Sequence, residues 1–484
     1  MGWALLVIMT APFAVSVVCY FAPVQICRGL TLASGVLTFV LAVLLVPAKT
    51  TTALSGWLRV DALSIVFLIA VAFLYAVTAV FAIGYVLPAG GNGSAARYNR
   101  RFFAGLNLFA WSMAMAPLVN GLALLWVAIE VTTVVSALLV AIDDTDSATE
   151  AAWKYLLIAS MGLGIALFAT IVMYYAGSSV FGGSYELFYP KLLGVAGHFA
   201  PEVVRFSFVL AVLGYGTKMG LVPVHTWLPD AHSEAPTPIS AMLSGSLLAV
   251  SFYAILRFYQ VTVRAIGSTF PRNVLLAFGV ASLVLAALYL ARQRDLKRLF
   301  AYSSIEHMGV LAIGMSFSAP IAVVGVLLHV LAHAAAKGTA FFGAGSVLRK
   351  FGTKDMSRIR GGIGALPWSG PMLVLAVLGL CAMPPFGIFR SEFLIVSGGL
   401  ADPRDVVAAV LIVGVTLAML GLSWFTSQTM LTPSPEGVVR GETSVWIVVS
   451  MVIGLAALTL LGVHPPGQLS DLLHRAAGEL GARP

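Results

Sequence analysis

Residues 206–229 read FSFVLAVLGYGTKMGLVPVHTWLP. Lys218 is the one formally charged residue in the stretch. Lipid admits only helices and closed barrels, because every backbone polar group must be satisfied within the chain. A barrel strand alternates apolar and polar residues, whereas this run is continuously apolar. It therefore reads as a membrane-spanning helix, for which about 20 mostly apolar residues suffice. Gly214, Gly216, Gly220 and Pro223 fall close together, so the span is expected to be kinked or unwound near Lys218.

The rest of the chain repeats that composition. Of its 484 residues, 60% are hydrophobic and 10% charged, against about 25% charged in soluble domains. The fold class expected is an all-α integral membrane protein, one membrane domain over 1–484. Fourteen spans are expected, at 4–22, 29–47, 62–87, 102–119, 121–141, 152–176, 203–224, 237–260, 273–291, 299–317, 320–346, 369–396, 404–428 and 444–463. The gaps near 177–202 and 347–368 are loop-sized. The tail after Pro466 reads as short and weakly amphipathic. Met1-Gly2-Trp3-Ala4 has no basic segment ahead of it and reads as a first span, not a cleaved signal; Leu6 stands where myristoylation needs Ser or Thr.

The net charge of +8 lies in short loops, where Lys and Arg set topology, and implies no nucleic-acid partner. The loops at 97–101, 292–298 and 349–360 are rich in basic residues, while Lys49, Arg59, Arg264, Arg272 and Arg404 are scattered over the opposite set. That bias places both termini outside the cytoplasm. The three cysteines, Cys19, Cys27 and Cys381, lack the close C-x-x-C spacing of an iron–sulfur or structural zinc site.

Ionisable groups stranded in apolar sequence carry the functional signal. Glu130 is alone in 102–142, Lys337 is accompanied only by His307, His329 and His333 in 307–348, and Arg390 and Glu392 stand in 361–401. A charge at the centre of a membrane helix costs about 2.5–3.5 kcal/mol on insertion scales, so the default meaning is an ion or proton path. Lysine is a proton-exchanging group when buried. His329, His333 and Lys337 are spaced i, i+4, i+8 and share one helix face, and imidazole titrates near pH 7 unaided. This stripe reads as a proton relay. Metal binding is the competing reading, disfavoured because neither the H-E-x-x-H base nor a third ligand is evident. In the polar stretch His225–Pro238, Asp230, His232 and Glu234 could hold a metal; capping helix ends and shaping a proton entrance is the preferred reading.

A second break is expected at Cys381–Gly387, around Pro384 and Pro385, matching the one at Pro223. Val-Leu-Gly precedes both, at 212–214 and 377–379. Paired interruptions in two halves point to a transporter with internal repeats.

The stretch from Lys218 to Met242, KMGLVPVHTWLPDAHSEAPTPISAM, resembles the signature of the antiporter-like membrane subunits: the large proton-pumping subunits of respiratory complex I, subunits of multisubunit sodium/proton antiporters, and subunits of membrane-bound hydrogenases. Val60-Asp61-Ala62-Leu63-Ser64, Lys154-Tyr155-Leu156-Leu157, 295–304 and 329–337 fit as well, so the resemblance covers roughly 60–400. Ser303-Ser304-Ile305-Glu306-His307-Met308-Gly309 and Pro384–Phe393 resemble the F subunit of hydrogenase-4 in particular. The short stretch after the last expected span is not expected to form the long lateral helix of the most distal complex I subunit.

The resemblance implies fourteen helices with two inverted five-helix repeats, 102–260 and 273–428, each with a broken helix. Glu130 would pair electrostatically with Lys218, Lys297 would open a central relay through His307, His329, His333 and Lys337, and Glu392 would be the ionisable residue of the second broken helix. One departure is that Leu247-Leu248 precedes Ala249 and Val250 where several relatives carry a lysine, so the link from Lys218 to the axis would run through water or His225. The function implied is proton translocation in a membrane-bound hydrogenase, formate-linked or NADH–quinone-type complex of the inner (plasma) membrane. This chain would hold no metal or flavin. Nickel–iron and iron–sulfur centres would lie in soluble redox partners, and other membrane subunits would flank it. The alternatives are a subunit of a sodium/proton antiporter or ion-coupled uptake complex, and a non-pumping scaffold.

Overall fold

Wherever the sequence stays apolar for about twenty residues the chain is helical, since only intrasegment bonds satisfy a backbone in hydrocarbon. The computed structural model describes residues 1–86, 93–434 and 437–482; residue 87, the expected end of the third span, lies outside them. Helices α1 (Gly2–Phe21) and α2 (Val24–Leu44) lead into an antiparallel hairpin, β1 (Thr51–Ala53) and β2 (Leu58–Val60). There follow α3 (Ala62–Tyr85), α4 (Gly93–Leu118), α5 (Leu122–Val140), α6 (Asp146–Phe181), the short α7 (Tyr189–Val195), α8 (Pro201–Met219), α9 (Trp227–Glu234), α10 (Thr237–Met242) and α11 (Leu248–Ile266). The second half holds α12 (Thr269–Leu290), α13 (Leu296–Gly314), α14 (Pro320–Phe351), the one-turn α15 (Gly362–Ala365), α16 (Ser369–Leu380), α17 (Gly387–Leu400), α18 (Asp405–Met430), α19 (Val445–Val463) and α20 (Gly467–Glu479).

Ten helical stretches among the described residues are long and apolar enough to cross a membrane. The other expected spans are helical too, but α8 carries Glu202, Arg205 and Lys218, and α13 carries Lys297, Arg298 and Glu306. The twelfth is split into α16 and α17, of 12 and 14 residues; α4 begins with Arg97, Arg100 and Arg101. His225–Pro238, expected as a loop, instead contains the helix α9, and Trp227, Leu228 and His232 within it are fully buried. Its apolar residues cover the open end of α8, so the segment folds inward.

The apolar windows of α3, α10–α11 and α14 are 83%, 100% and 94% buried, so these helices form the interior and have almost no face for lipid. Helices apolar on all sides belong in such positions. α6 packs along α8, α12 along α13 and α14 along α17. Small residues permit the approach: a Cβ on Gly214 would lie 2.5 Å from the backbone nitrogen of Ala166.

At one rim, Asp61 caps α3 by accepting from Ser64 N at 3.0 Å, and receives Arg257 Nη2 at 2.6 Å. Arg257, 1% exposed, also donates to Ser64 Oγ, Tyr253 Oη and Gln260 Oε1 at 2.8–2.9 Å, and its guanidinium lies 4.5 Å from the Tyr189 ring. The tail is better ordered than its weak pattern suggests. α20 buries Leu472, Leu473, Ala476 and Ala477 against α3 and α14. The Glu479 carboxylate accepts from Ala62 N and Leu63 N, both at 3.0 Å, satisfying two amides at the start of α3.

Removing one partner of a buried ion pair strands the other and costs about 3–5 kcal/mol. Asp61→Ala is therefore expected to destabilise the detergent-purified chain by that amount. The double change Asp61→Leu with Arg257→Met should recover most of it, read as unfolding midpoints.

Candidate functional site

Lys218 stands two residues before the break. α8 ends at Gly220, whose φ of +85° suits glycine. The ammonium is fully buried and donates to Thr133 Oγ1 at 2.7 Å and Tyr155 Oη at 2.5 Å. Thr133 directs its own hydroxyl hydrogen toward Ile129 O, leaving a lone pair for the lysine. Tyr155 Oη also meets Ser136 Oγ at 2.7 Å. Glu130, one turn before Thr133 on α5, does not touch the lysine. Its Oε1 accepts from Ser160 Oγ at 3.4 Å, and its Oε2 has no hydrogen-bond partner among the described residues. The first cluster is thus a lysine solvated by hydroxyls, with a carboxylate nearby.

The second cluster runs through the interior. Lys297, 4% exposed, donates to Ala235 O at 2.5 Å and lines an open cavity with Asp143, Glu234, Arg349 and Lys354. Lys337 on α14 donates to Ser303 Oγ at 2.7 Å and Phe300 O at 3.0 Å, both on α13. Further along α13, His307 Nε2 is 3.6 Å from Glu306 Oε2, and its Nδ1 is 3.8 Å from Glu392 Oε1. The His307 ring lies 5.1 Å from that of His329 and 5.3 Å from that of His333. His329 Nδ1 meets Ser391 Oγ at 3.0 Å. Lys297, Ser303, Glu306, His307, His329, His333, Lys337, Ser391 and Glu392 are all 0–7% exposed. The i, i+4, i+8 face of α14 therefore meets α13 and α17, and the line of titratable groups passes from Lys297 to Glu392.

Asp230, His232 and Glu234 do not converge. Asp230 pairs with Arg298, and with Lys154 at 3.6 Å. Glu234 receives Lys354 at 2.5 Å and Ser147 Oγ at 3.0 Å. Partial burial would raise the Glu234 carboxyl, but the hydrogen bond and charge of Lys354 outweigh it and hold it below its usual range. His232 turns inward. Its Nδ1 meets Leu228 O at 2.8 Å, its ring is 6.2 Å from Trp227 and 5.9 Å from Phe341, and Trp227 lies 4.5 Å from Tyr155. His232 thus stands between the two clusters. His225, 7% exposed, has an Nδ1 without a hydrogen-bond partner among the described residues.

The break at 381–386 separates α16 from α17, and Glu392 follows it by one turn. Arg390 points elsewhere, donating to Gly462 O and Val463 O at the end of α19. Just ahead of Leu248-Ala249-Val250, α10 and α11 are joined by a π-helical turn, Leu243–Leu247. Its Ser244 Oγ meets Ser304 Oγ at 2.7 Å. Thr133 and this turn carried no isolating signal in the sequence, since hydroxyls are common; His232 was read only with Asp230 and Glu234, and Tyr155 lay in a matched stretch without a role.

Residues 119–421 match the family model described as NADH:quinone oxidoreductase/Mrp antiporter, transmembrane, a segment that holds every ionisable residue from Glu130 to Glu392. A hydrogenase-4 component F homolog of Methylacidiphilum infernorum (isolate V4) is 37% identical over 365 residues, covering 74% of this chain and 76% of that one. The fold is similar to a chain of the membrane-bound sulfane sulfur reductase, an archaeal respiratory membrane complex, with TM-score 0.85 at 20% identity over 99% of this chain and 96% of the other. It is equally similar to one in the Mrp complex from Dietzia sp. DQ12-45-1b, with TM-score 0.86 at 17% identity over 99% and 98%. Sequence model, relative and architecture agree, and the chain belongs to the NADH:quinone oxidoreductase/Mrp antiporter transmembrane family.

Proposed function

We propose that this chain is the proton-translocating membrane subunit of a hydrogenase-type or NADH–quinone-type complex. The observation that carries this reading is the buried set Lys297, Lys337, Glu306, His307, His333, His329 and Glu392, all but the last on α13 and α14, which are buried along most of their length. Burying so many titratable groups is costly unless they serve an ion path. Protons would enter at the Glu234–Lys354 mouth, pass Lys297, and move along the axis through side chains and water. Gain or loss of a charge at one group changes the proton affinity of its neighbours, so an event at one end propagates. His232 and the π turn would connect the axis to Lys218 and Glu130, taking the place of the missing lysine. Redox centres, nickel–iron and iron–sulfur, would sit in soluble partners, with other membrane subunits flanking this one.

The finer architecture belongs to the same proposal. Fourteen spans would form two inverted repeats, 102–260 and 273–428, within one domain. Equivalent pairs pack alike: α6 lies along the broken span at α8, and α14 along the broken span at α17. Both termini would face away from the cytoplasm, in the inner membrane.

The deciding experiment is proton uptake by the reconstituted complex, with electron transfer measured separately. Lys218→Ala and Glu130→Ala are expected to reduce uptake to the level of empty vesicles while the complex stays assembled. Unchanged uptake would make this chain a scaffold, and proton movement driven by an imposed sodium gradient without turnover would make it an antiporter subunit. Tyr155→Phe removes one acceptor from Lys218 and should cost about 1–3 kcal/mol of stability, measured by thermal unfolding. The native cysteines are buried, so a water-soluble maleimide can report orientation. Arg294→Cys is expected to label only from the cytoplasmic side and Lys49→Cys only from the other.

A further inference from the structure

His307, His329 and Glu392 come from α13, α14 and α17, and each places one donor atom within 4.8 Å of the other two. Both ring nitrogens of His307, Nε2 of His329 and Oε1 of Glu392 are buried without a hydrogen-bond partner among the described residues. Their residues are 0%, 0% and 7% exposed. Ser391 fixes the tautomer of His329. Its hydroxyl donates to Ile388 O at 2.8 Å, so it accepts from His329 Nδ1–H at 3.0 Å, and Nε2 must present a lone pair. Glu306 Oε2 stands 3.6 Å from His307 Nε2, a charge neighbour beyond hydrogen-bond distance, while Nδ1 faces Glu392 Oε1 at 3.8 Å. His329 thus has an outer polar partner on one nitrogen and an open lone pair on the other, the arrangement that orients imidazole toward a metal, and His307 has both nitrogens unpaired beside two carboxylates.

Two imidazoles and a carboxylate are a zinc donor set, with a fourth position for water. His333, whose two ring nitrogens also lack partners, has its ring 5.3 Å from that of His307 and 6.3 Å from that of His329. Zinc–nitrogen bonds near 2.0–2.1 Å put ligand atoms about 3.4 Å apart in a tetrahedron. The His307–Glu392 separation of 3.8 Å is already close to that. Glu392 keeps some exposure beside the 381–386 break, which supplies a way in. We propose that this cluster binds one zinc ion through His307 Nδ1, His329 Nε2 and Glu392, and that the bound ion closes the proton path by occupying the lone pairs that would pass protons. The closure rests on the proton-path reading; the binding does not.

The test uses the assembled complex free of any histidine tag, equilibrated with zinc alone and, in parallel, with cobalt as a spectroscopic probe. Expected are one zinc per copy of this chain, an absorption edge with two nitrogens and at least one oxygen at about 2.0–2.1 Å, and the visible bands of tetrahedral cobalt. His307→Ala and Glu392→Gln should abolish all three, while alanine at the exposed His198, His464 and His474 should leave them intact. Ser391→Ala keeps every ligand but frees the His329 ring, and should weaken zinc about 10–100-fold in a chain that still assembles. Absent cobalt bands, zinc retained by His307→Ala and Glu392→Gln, or unchanged affinity in Ser391→Ala would each overturn the site. Proton uptake that continues with zinc bound would overturn the closure alone, and failure of the wild type to pump would leave the binding result standing.

Discussion

A charge cannot face hydrocarbon, and every arrangement in this molecule that is not a plain apolar helix answers that constraint. Lys218 and Lys337 are surrounded by hydroxyl and carbonyl oxygens from neighbouring helices: Thr133 and Tyr155 for the first, Ser303 and Phe300 for the second. For both lysines these oxygens come from neighbouring helices and not from the lysine's own. The ionisable groups therefore require helices packed around them, α5 and α6 about Lys218 and α13 about Lys337.

The breaks follow from the same need. An unbroken helix has its amides committed and only second lone pairs on its carbonyls to offer, whereas an ended one exposes free amides and carbonyls. Gly220 ends α8 just beyond Lys218, and α9 folds back so that Trp227 donates to the freed Thr217 carbonyl at 2.7 Å. The carbonyl of Ala235, at the end of α9, is the one Lys297 uses. Non-helical backbone at membrane depth survives only where protein or a cavity surrounds it, and here it supplies the ligands of the path.

Much of this was legible in the sequence because the signal was contrast. Glu130, Lys218, Lys337 and Glu392 stand out against dozens of apolar neighbours, and the His329–His333–Lys337 spacing declares a common face. The helical segments were legible for the same reason, although α8, α13 and the split α16–α17, which bear Lys218, Lys297 and Glu392, fall short of a plain apolar span. What was not legible depends on which helices meet. His329 was read with His333, its neighbour on one helix, whereas the structure joins it to His307 and Glu392 from two others. Tyr155 and Thr133 are ordinary in a membrane helix until a lysine points at them. Arg257 sits in a helix whose burial cannot be told from its composition, and its partner Asp61 is 196 residues away.

The two kinds of buried cation are treated in opposite ways, and the difference separates structure from function. Arg257 meets a carboxylate at 2.6 Å, three neutral acceptors and two aromatic rings. Guanidinium does not release its proton in proteins, so this charge is permanent and its full set of partners keeps it fixed at the rim. The path lysines have no carboxylate in contact, only neutral oxygens. A neutral acceptor serves an ammonium, and a hydroxyl can turn to donate once the amine has lost its proton, so either form keeps a hydrogen bond. Lysine with hydroxyl partners is thus a group that can change charge without collapsing its surroundings. Arginine with a carboxylate is one that cannot, and the molecule uses the first along its axis and the second where α3, α11 and α20 are tied together.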